Sequence, residues 1–221
     1  MEIIQGKKTS EMEQEEFRKI IAPYSSVNVE IGTGKGKFVY EMAKNHPKAF
    51  FIGVDADRNN LEKYSHKIYR KPERGGLPNA LYVISNVEEL PPELNNTANI
   101  IWVILPWGSL LQGLILARTS LLQNMMRISC AKGILNLYIS YDVKYEPTKM
   151  ENLGLPELTC ELIDEKLAPM YSSEGITITE RKILDNEALK EISSQWARQL
   201  AYGRKRKTFF IKAEINKELV Q

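Results

Sequence analysis

Cysteine and histidine are scarce in this 221-residue sequence, which has two of each: Cys130, Cys160, His46 and His66. They form no CxxC pair and no other spacing that could supply the ligands of a zinc or iron–sulfur site. The two cysteines lie in ordinary apolar-periodic segments. We therefore expect a metal-free protein with reduced cysteines.

An excess of one charge is also absent. The 30 basic and 28 acidic residues give a net charge of +2, so only local clusters of basic residues could bind a polyanion. The first residues, MEIIQGKKTSEMEQEEF, contain no apolar core of signal-peptide length. We therefore expect a cytoplasmic protein.

The uncharged stretch from Leu94 to Ala117 is long enough to suggest a membrane span. However, Pro106-Trp107-Gly108 interrupts it, and a new helical pattern begins at Ser109, a good N-cap residue. A buried strand, a turn and a helix explain this stretch better than a membrane-spanning helix.

Apolar runs of strand length alternate with helix-like segments, which is typical of a parallel sheet. The predicted fold class is α/β: a doubly wound, mostly parallel, seven-stranded sheet that ends in an antiparallel hairpin. The predicted strands are Val27–Ile31, Ala49–Val54, Ala80–Ser85, Ile100–Leu105, Ile134–Ser140, Ile176–Ile183 and Thr208–Ile215. The predicted helices are Lys37–Asn45, Arg58–Arg70, Ser109–Cys130 and Cys160–Ser173.

Two regions are expected. Residues 1–26 are predicted to form a short extension packed on the core, with a hairpin around Gly6 and a helix from Ser10. Residues 27–221 form the main domain, because no Ser/Gly-rich linker divides them and 43% of the chain is apolar, enough for one substantial core.

A glycine-rich loop follows the first strand of the main domain. Gly32, Gly34 and Gly36 let the backbone turn tightly and approach a ligand that side chains would exclude. Asp55 ends the next strand about 20 residues on, where a carboxylate can accept hydrogen bonds from both hydroxyls of a ribose. The two features together predict a nucleoside pocket.

The loop pattern separates two cofactor classes. A dinucleotide needs GxGxxG, whereas this loop reads GxGxG and has Glu30 two residues before it. A carboxylate there would repel pyrophosphate, but it attracts the ammonium and sulfonium groups of S-adenosylmethionine. S-adenosylmethionine is therefore favoured, and residues 27–221 are predicted to be a class I, Rossmann-like methyltransferase domain. Val87 and Glu88, after the third strand, are predicted to border the adenine ring.

The segment LPWG, Leu105 to Gly108, ends the fourth strand. Methyltransferases that act on exocyclic amines of adenine usually have an Asn/Asp-Pro-Pro-aromatic motif there, and this chain has Leu105 in the polar slot. A ring nitrogen such as adenine N1 already has an in-plane lone pair, so it needs positioning and desolvation and no general base. Trp107 can supply a stacking face.

Two basic clusters are candidates for binding phosphates. Residues 198–212 contain six basic residues and no acid, with Tyr202, Phe209 and Phe210 interleaved. A solvated face would have the same composition. The second cluster consists of Lys63, Lys67, Arg70, Lys71 and Arg74.

Four segments together carry a resemblance to a known family: VEIGTGKGK, RKPERGGLPNALYVISNVEELP, LPWG and WARQLAYGRKR. Over nearly the whole chain the sequence resembles the aminoglycoside-resistance 16S rRNA methyltransferases, which modify N1 of adenine 1408 in the decoding site. The resemblance implies that the protein uses S-adenosylmethionine, acts on 16S rRNA in the 30S subunit and confers aminoglycoside resistance. A monomer is expected.

The resemblance also implies residue roles. Trp107 and Trp196 match the pair of rings that holds the flipped target adenine. The residues that match cofactor contacts are Glu30, Gly32, Gly34, Asp55, Val87, Glu88, Leu105, Ser109 and Ser194. The residues that match rRNA contacts are Lys67, Arg70, Lys71, Arg198, Arg204 and Arg206.

The chain departs from the family pattern at three places. Glu30 stands where Asp is more common, Gln199 stands where a basic residue is expected, and the loop around Leu153 is less basic than expected. Two alternatives remain open. One is a tRNA guanine-N7 methyltransferase, whose cofactor segment is similar although its FPDPWPK-like motif is missing here. The other is a non-catalytic RNA-binding protein with a methyltransferase fold.

Overall fold

A computed structural model describes residues 1–143, 147–192, 194–202 and 207–217, without the side chains of Lys149, Gln195 and Trp196. In this part of the chain a nine-stranded sheet carries helices on both faces. The strands are β1 (Glu2–Gln5), β2 (Lys8–Glu11), β3 (Ser26–Ile31), β4 (Ala49–Asp55), β5 (Ala80–Ile84), β6 (Ala98–Ile104), β7 (Ser129–Ile139), β8 (Ile176–Leu184) and β9 (Thr208–Asn216).

The helices of the described chain are mostly short. They are α1 (Gln14–Ile21), α2 (Lys37–Asn45), α3 (Arg58–Ile68), α4 (Gly108–Ile115), α5 (Thr119–Ile128), α6 (Pro147–Asn152), α7 (Cys160–Leu162), α8 (Ala168–Ser173), α9 (Asn186–Lys190) and α10 (Gln195–Ala201). A π-helical turn, Ile163–Leu167, joins α7 to α8.

The strand order is β2-β1-β5-β4-β3-β6-β7-β9-β8. The five central strands, β3 to β7, are parallel, and β8 and β9 form the predicted antiparallel pair. The α/β doubly wound class is confirmed, but the sheet has nine strands and not seven. The difference is the amino-terminal hairpin, because β1 pairs with β5 and so extends the sheet at its edge.

Strand β4 explains why helices cover both faces. Phe50 and Ile52 point into the larger core cluster, which also contains residues of α1, α4 and α5. Phe51, between them, points into the second cluster with Val39 of α2 and Leu61 of α3. All five side chains are buried. A parallel strand buried on both faces is apolar at consecutive positions, as the sequence of β4 is.

Several predicted boundaries were right and others were wrong. Helix α2 spans the predicted residues. The single helix predicted from Ser109 to Cys130 is two helices, because the chain reverses at Ala117, whose φ is 47°, and Arg118 donates a backbone hydrogen bond to Gly113 at 2.8 Å. Helix α4 also begins one residue earlier, with Trp107 and not Ser109 before its first turn.

The amino-terminal helix also differs from its prediction. Ser10 lies in β2, and α1 begins only at Gln14. The uncharged stretch 94–117 forms the expected strand, turn and helix. Among the described residues, no helix combines the length and apolarity needed to cross a bilayer.

Buried Ser65 of α3 anchors the hairpin. Its hydroxyl accepts a hydrogen bond from the Gly6 amide at 2.8 Å and donates one to the Ile4 carbonyl at 2.6 Å. Gly6 has a φ of 68° and packs against His66. The turn between β1 and β2 is therefore fixed on α3 by buried polar contacts as well as by strand pairing.

Replacing Ser65 with Ala should destabilise the fold by about 1–3 kcal/mol, because it leaves the buried Gly6 amide and Ile4 carbonyl without their partner. Urea unfolding followed by circular dichroism measures the change. The control is Ser173→Ala, since the Ser173 hydroxyl makes its hydrogen bond in an exposed position. Equal stability of the two variants would contradict the anchoring role of Ser65.

Candidate functional site

A cavity of about 310 Å³ opens at the carboxyl ends of β3, β4, β5 and β6. This is the edge at which doubly wound sheets bind ligands. All nine residues predicted to contact the cofactor line it, and Trp107 lines it as well. The structure therefore brings together residues that are separated by up to about 160 positions in the sequence, and their binding roles stay predictions.

The shape of the glycine loop depends on Tyr82 of β5. The hydroxyl of this fully buried side chain donates a hydrogen bond to the Gly36 carbonyl at 2.6 Å. A Cβ atom on Gly36 would lie 2.4 Å from the Tyr82 ring, and one on Gly53 would lie 2.8 Å from it. Gly36 also has a φ of 75°, which favours glycine. The Tyr82 ring thus leaves no room for a side chain at Gly36, before α2, or at Gly53, inside β4.

Asp55 is held by the backbone on both sides of the cavity. One carboxylate oxygen accepts a hydrogen bond from the Gly34 amide at 2.7 Å, and the other accepts one from the Asp57 amide at 2.9 Å. These contacts fix the direction of the carboxylate and join the glycine loop to the end of β4. Each oxygen has a further lone pair that can accept a hydrogen bond from a ligand hydroxyl.

Glu30 is the unusual ionisable group of the cavity. It is only 4% exposed, and it accepts a hydrogen bond from the Thr33 hydroxyl. Burial raises the pKa of Glu30 to about 8; the Thr33 hydrogen bond opposes this rise, and the Asp55 charge adds to it. A cation beside Glu30 would stabilise its ionised form. This carboxyl group therefore fits the cationic methionine end of S-adenosylmethionine.

The LPWG segment places a strained backbone at the cavity. Leu105 has a φ of 52°, a conformation that a branched apolar residue seldom adopts. Its amide donates a hydrogen bond to the Tyr138 carbonyl of β7 at 2.7 Å, which helps to hold this conformation. Trp107 follows as the residue before α4, and its side chain is 43% exposed. Such strain often marks functional sites.

Helix α10 begins at the rim of the same cavity. Ser194, its N-cap residue, is buried and lines the cavity. Trp196 is on this helix, but its side chain is outside the described residues. Arg198 lies in the last turn and is exposed. Arg204 and Arg206 also lie outside the described residues, so their predicted contacts stay predictions.

The second basic cluster lies at the end of α3 and in the loop after it. The Lys67 ammonium group sits over the Tyr40 ring, 3.8 Å from its centroid. The Tyr40 hydroxyl in turn donates a hydrogen bond to the Gly75 carbonyl at 3.0 Å. Arg70 and Lys71 are exposed on this loop. Tyr40 therefore links Lys67 to the loop that carries Arg70 and Lys71, the two other predicted RNA-binding residues of this cluster.

The predicted site omitted some residues that shape it. Thr33, which bonds Glu30, and Tyr82, which lies under the loop, were missed. Asn86 also shapes the site: its side chain accepts a hydrogen bond from the Glu89 amide at 2.8 Å and so fixes the turn that holds Val87 and Glu88. The position of Thr33 between two glycines was an available signal; nothing local marked Tyr82.

No group of three or more His, Cys, Asp and Glu side chains that could hold a metal ion occurs among the residues that the structure describes. The cavity is lined instead by the glycine loop, the three carboxyl residues Glu30, Asp55 and Glu88, and Trp107.

Comparison with known proteins gives the family. The model of the 16S rRNA (adenine(1408)-N(1))-methyltransferase family matches residues 2–215. A 16S rRNA (adenine(1408)-N(1))-methyltransferase from Escherichia coli is 35% identical over 218 residues, which cover 98% of this chain and 100% of that protein. A tRNA (guanine-N(7)-)-methyltransferase from Leuconostoc citreum matches only 38% of this chain and 36% of its own length, at 33% identity.

Solved structures agree with the sequence matches. The crystal structure of the 16S rRNA methyltransferase KamB has a TM-score of 0.90 at 30% identity and covers 98% of this chain and 100% of that one. A variant of the Catenulisporales acidiphilia 16S rRNA (adenine(1408)-N(1))-methyltransferase, with its cosubstrate SAM, has a TM-score of 0.89 at 28% identity and covers 98% of this chain and 97% of its own. The chain belongs to the 16S rRNA (adenine(1408)-N(1))-methyltransferase family.

Proposed function

We propose that the protein methylates N1 of adenine 1408 in the decoding site of 16S rRNA, within the 30S subunit in the cytoplasm, and so confers aminoglycoside resistance. Membership in the family makes it an S-adenosylmethionine-dependent rRNA methyltransferase. The observation that carries the proposal is that one cavity of this chain gathers the nine predicted cofactor residues and Trp107. The protein acts as a monomer and without a metal ion.

Different residues of the cavity bind different parts of the cofactor. Asp55 accepts hydrogen bonds from the ribose hydroxyls, and Glu30 pairs with the methionine ammonium group. The turn at Val87 and Glu88, with Leu105 and Ser109, borders the adenine ring, and Ser194 closes over the methionine end. When bound, S-adenosylmethionine supplies an electrophilic methyl group at the mouth of the cavity.

The chain's part in the reaction is positioning. The cofactor would supply the methyl group and would leave as the neutral thioether. The target N1 already has its lone pair, so no residue of the chain would have to remove a proton first. Trp107 and Trp196 hold the flipped base between two rings, which offset its lost stacking at about 1–3 kcal/mol per stacked base. The same ring faces stabilise the positive charge that passes to the methylated purine.

The basic residues dock the protein on the rRNA. Lys67, at the end of α3, and Arg70 and Lys71, in the loop after it, contact phosphates. Arg198 of α10 does so as well, together with Arg204 and Arg206, which follow it in the sequence. The six residues together supply charge for binding without reading bases.

Primer extension on treated 30S subunits tests the proposal. A methyl group on N1 blocks Watson–Crick pairing, so reverse transcription should stop at adenine 1408 only when protein and S-adenosylmethionine are both present. A tRNA guanine-N7 methyltransferase would leave this site unmodified. A non-catalytic RNA-binding protein would show no uptake of S-adenosylmethionine in calorimetry.

Cofactor affinity should rise with pH between pH 6 and 8. Without ligand, Glu30 is mainly protonated below its pKa of about 8, so binding of a cation requires loss of that proton. The affinity should rise by up to about tenfold per pH unit well below the pKa and level off above it. Calorimetry in two buffers of different ionisation enthalpy measures the released proton. Glu30→Gln should bind more weakly and lose this dependence; an unchanged pH dependence in this variant would exclude Glu30 as its source.

Replacement of either Trp107 or Trp196 with Ala should reduce methylation at least about tenfold, equivalent to about 1.4 kcal/mol of transition-state stabilisation. Cofactor affinity and 30S binding should stay near wild type, and Phe should restore part of the activity because stacking needs only a ring.

The matched control is the third tryptophan, Trp102, which packs against Phe38 and donates a hydrogen bond to Asn28. Trp102→Phe should change thermal stability and leave the rate per folded molecule unchanged. If the activity and the melting temperature of the Trp196 variant fell together, Trp196 would have a packing role instead.

Replacement of Arg204 or Arg206 with Gln should weaken 30S binding and reduce the slope of log K against log salt by about one unit, as expected for one lost phosphate contact. Cofactor affinity should not change. Filter binding across a range of salt concentrations gives the slope. The control is Lys19→Gln, because Lys19 is exposed on α1 and pairs with Glu15. A wild-type slope in both arginine variants would mean that this cluster is a solvated face.

A further inference from the structure

A second cavity of about 390 Å³ lies beside the cofactor cavity. The two share Glu30, Thr33, Gly34 and Ser194, so they meet at the predicted methionine end of the cofactor. The second cavity extends from there along the glycine loop, past Lys35 and Lys37, to Gln199 of α10. The function described above uses the shared residues but leaves this extension without a ligand.

The charges of the extension favour an anion. Lys35 is exposed and Lys37 is half-buried, and none of the ion pairs in the described part of the chain involves either lysine. The first turn of α2, where Lys37 lies, has no acidic residue. Glu30 is the one acid among the lining residues, and it faces the cofactor cavity as well. Two lysines therefore leave a net positive charge at this wall.

The position of the extension indicates which anion it binds. An enzyme that flips a base draws the base into its pocket while the sugar–phosphate backbone stays at the mouth. The extension opens next to that mouth and is closed on one side by α10, the helix that carries Trp196. Gln199, on this helix, is an uncharged lining residue of the same cavity. The positive charge of this cavity therefore comes from the two lysines of the glycine loop and α2.

We propose that Lys35 and Lys37 bind a backbone phosphate of the rRNA next to the flipped adenosine, with Gln199 on the opposite wall. This inference rests on the proposed function, since it requires a flipped nucleotide over the first cavity. The glycine loop then binds two different groups: its inner side binds the methyl donor, and its lysines bind the substrate backbone.

The test compares the full-length wild type with the double variant K35Q/K37Q. The double variant should bind 30S subunits more weakly, with a slope of log K against log salt smaller by about one unit. Its affinity for S-adenosylmethionine and its melting temperature should match the wild type. The control is K44Q, which removes an exposed lysine from the other end of α2. This control should keep the wild-type slope.

A third variant tests the geometry. Gln199→Lys, added to K35Q/K37Q, should restore the slope because it returns a cation to the same cavity from the other wall. A wild-type slope in K35Q/K37Q would overturn the proposal. A loss of cofactor affinity with unchanged 30S binding would also overturn it, because the lysines would then hold the methionine carboxylate.

The proposed function has a separate test. Absence of the primer-extension stop with the wild-type protein would refute methylation of adenine 1408. The salt slopes measure binding alone, so they would still decide whether the cavity holds a phosphate.

Discussion

The packing of Tyr82 under the glycine loop is the constraint on which the site depends. Its ring fills the space that Cβ atoms on Gly36 and Gly53 would need, and its hydroxyl bonds the Gly36 carbonyl. The loop is therefore held from below by a side chain from β5. With the loop fixed in this way, the Gly34 amide reaches the Asp55 carboxylate. One buried aromatic residue thus connects three neighbouring strands at the edge where the ligand binds.

The fixed loop also separates two opposite charges. Glu30, at the end of β3, is buried on the inner side of the loop, where the Thr33 hydroxyl stabilises the ionised form in part and a cationic group would stabilise it further. Lys35 and Lys37 are a few residues away but face the neighbouring cavity. If the loop were free to move, the carboxylate and the lysines could pair with each other and neither would be available to a ligand. A fixed loop would therefore let one short segment bind both groups proposed for it, the methionine ammonium group and a backbone phosphate.

The sequence predicted the features that depend on local pattern. The bounds of α2 and the presence of the seven main-domain strands follow from apolar periodicity and glycine positions, although β7 begins at Ser129 and not at the predicted Ile134. The convergence of Glu30 with Asp55 follows from parallel strands. The break at Ala117 was missed, because the apolar pattern resumes at Leu121 after three polar residues and the turn itself is made by backbone hydrogen bonds. The pairing of β1 with β5 and the contact of Tyr82 with the loop join distant segments, which periodicity does not report. Conversely, the family resemblance supplied roles for Trp196, Arg204 and Arg206 that the described structure does not address.

The conformation of Leu105 bears on the choice of target atom. In the left-handed region, with its amide bonded to β7, this residue turns the chain so that Trp107 reaches the cavity. Position 105 then presents an apolar side chain, whereas methyltransferases that act on exocyclic amines have an amide or a carboxylate at this position. The lone pair of an exocyclic amine is delocalised into the purine ring. The Leu105 side chain offers such an amine no hydrogen-bond acceptor that would localise this lone pair. A ring nitrogen needs no such acceptor, because its lone pair already lies in the plane of the base. An apolar side chain at Leu105, next to the aromatic face of Trp107, therefore suits a ring nitrogen better than an exocyclic amine as the methylated atom.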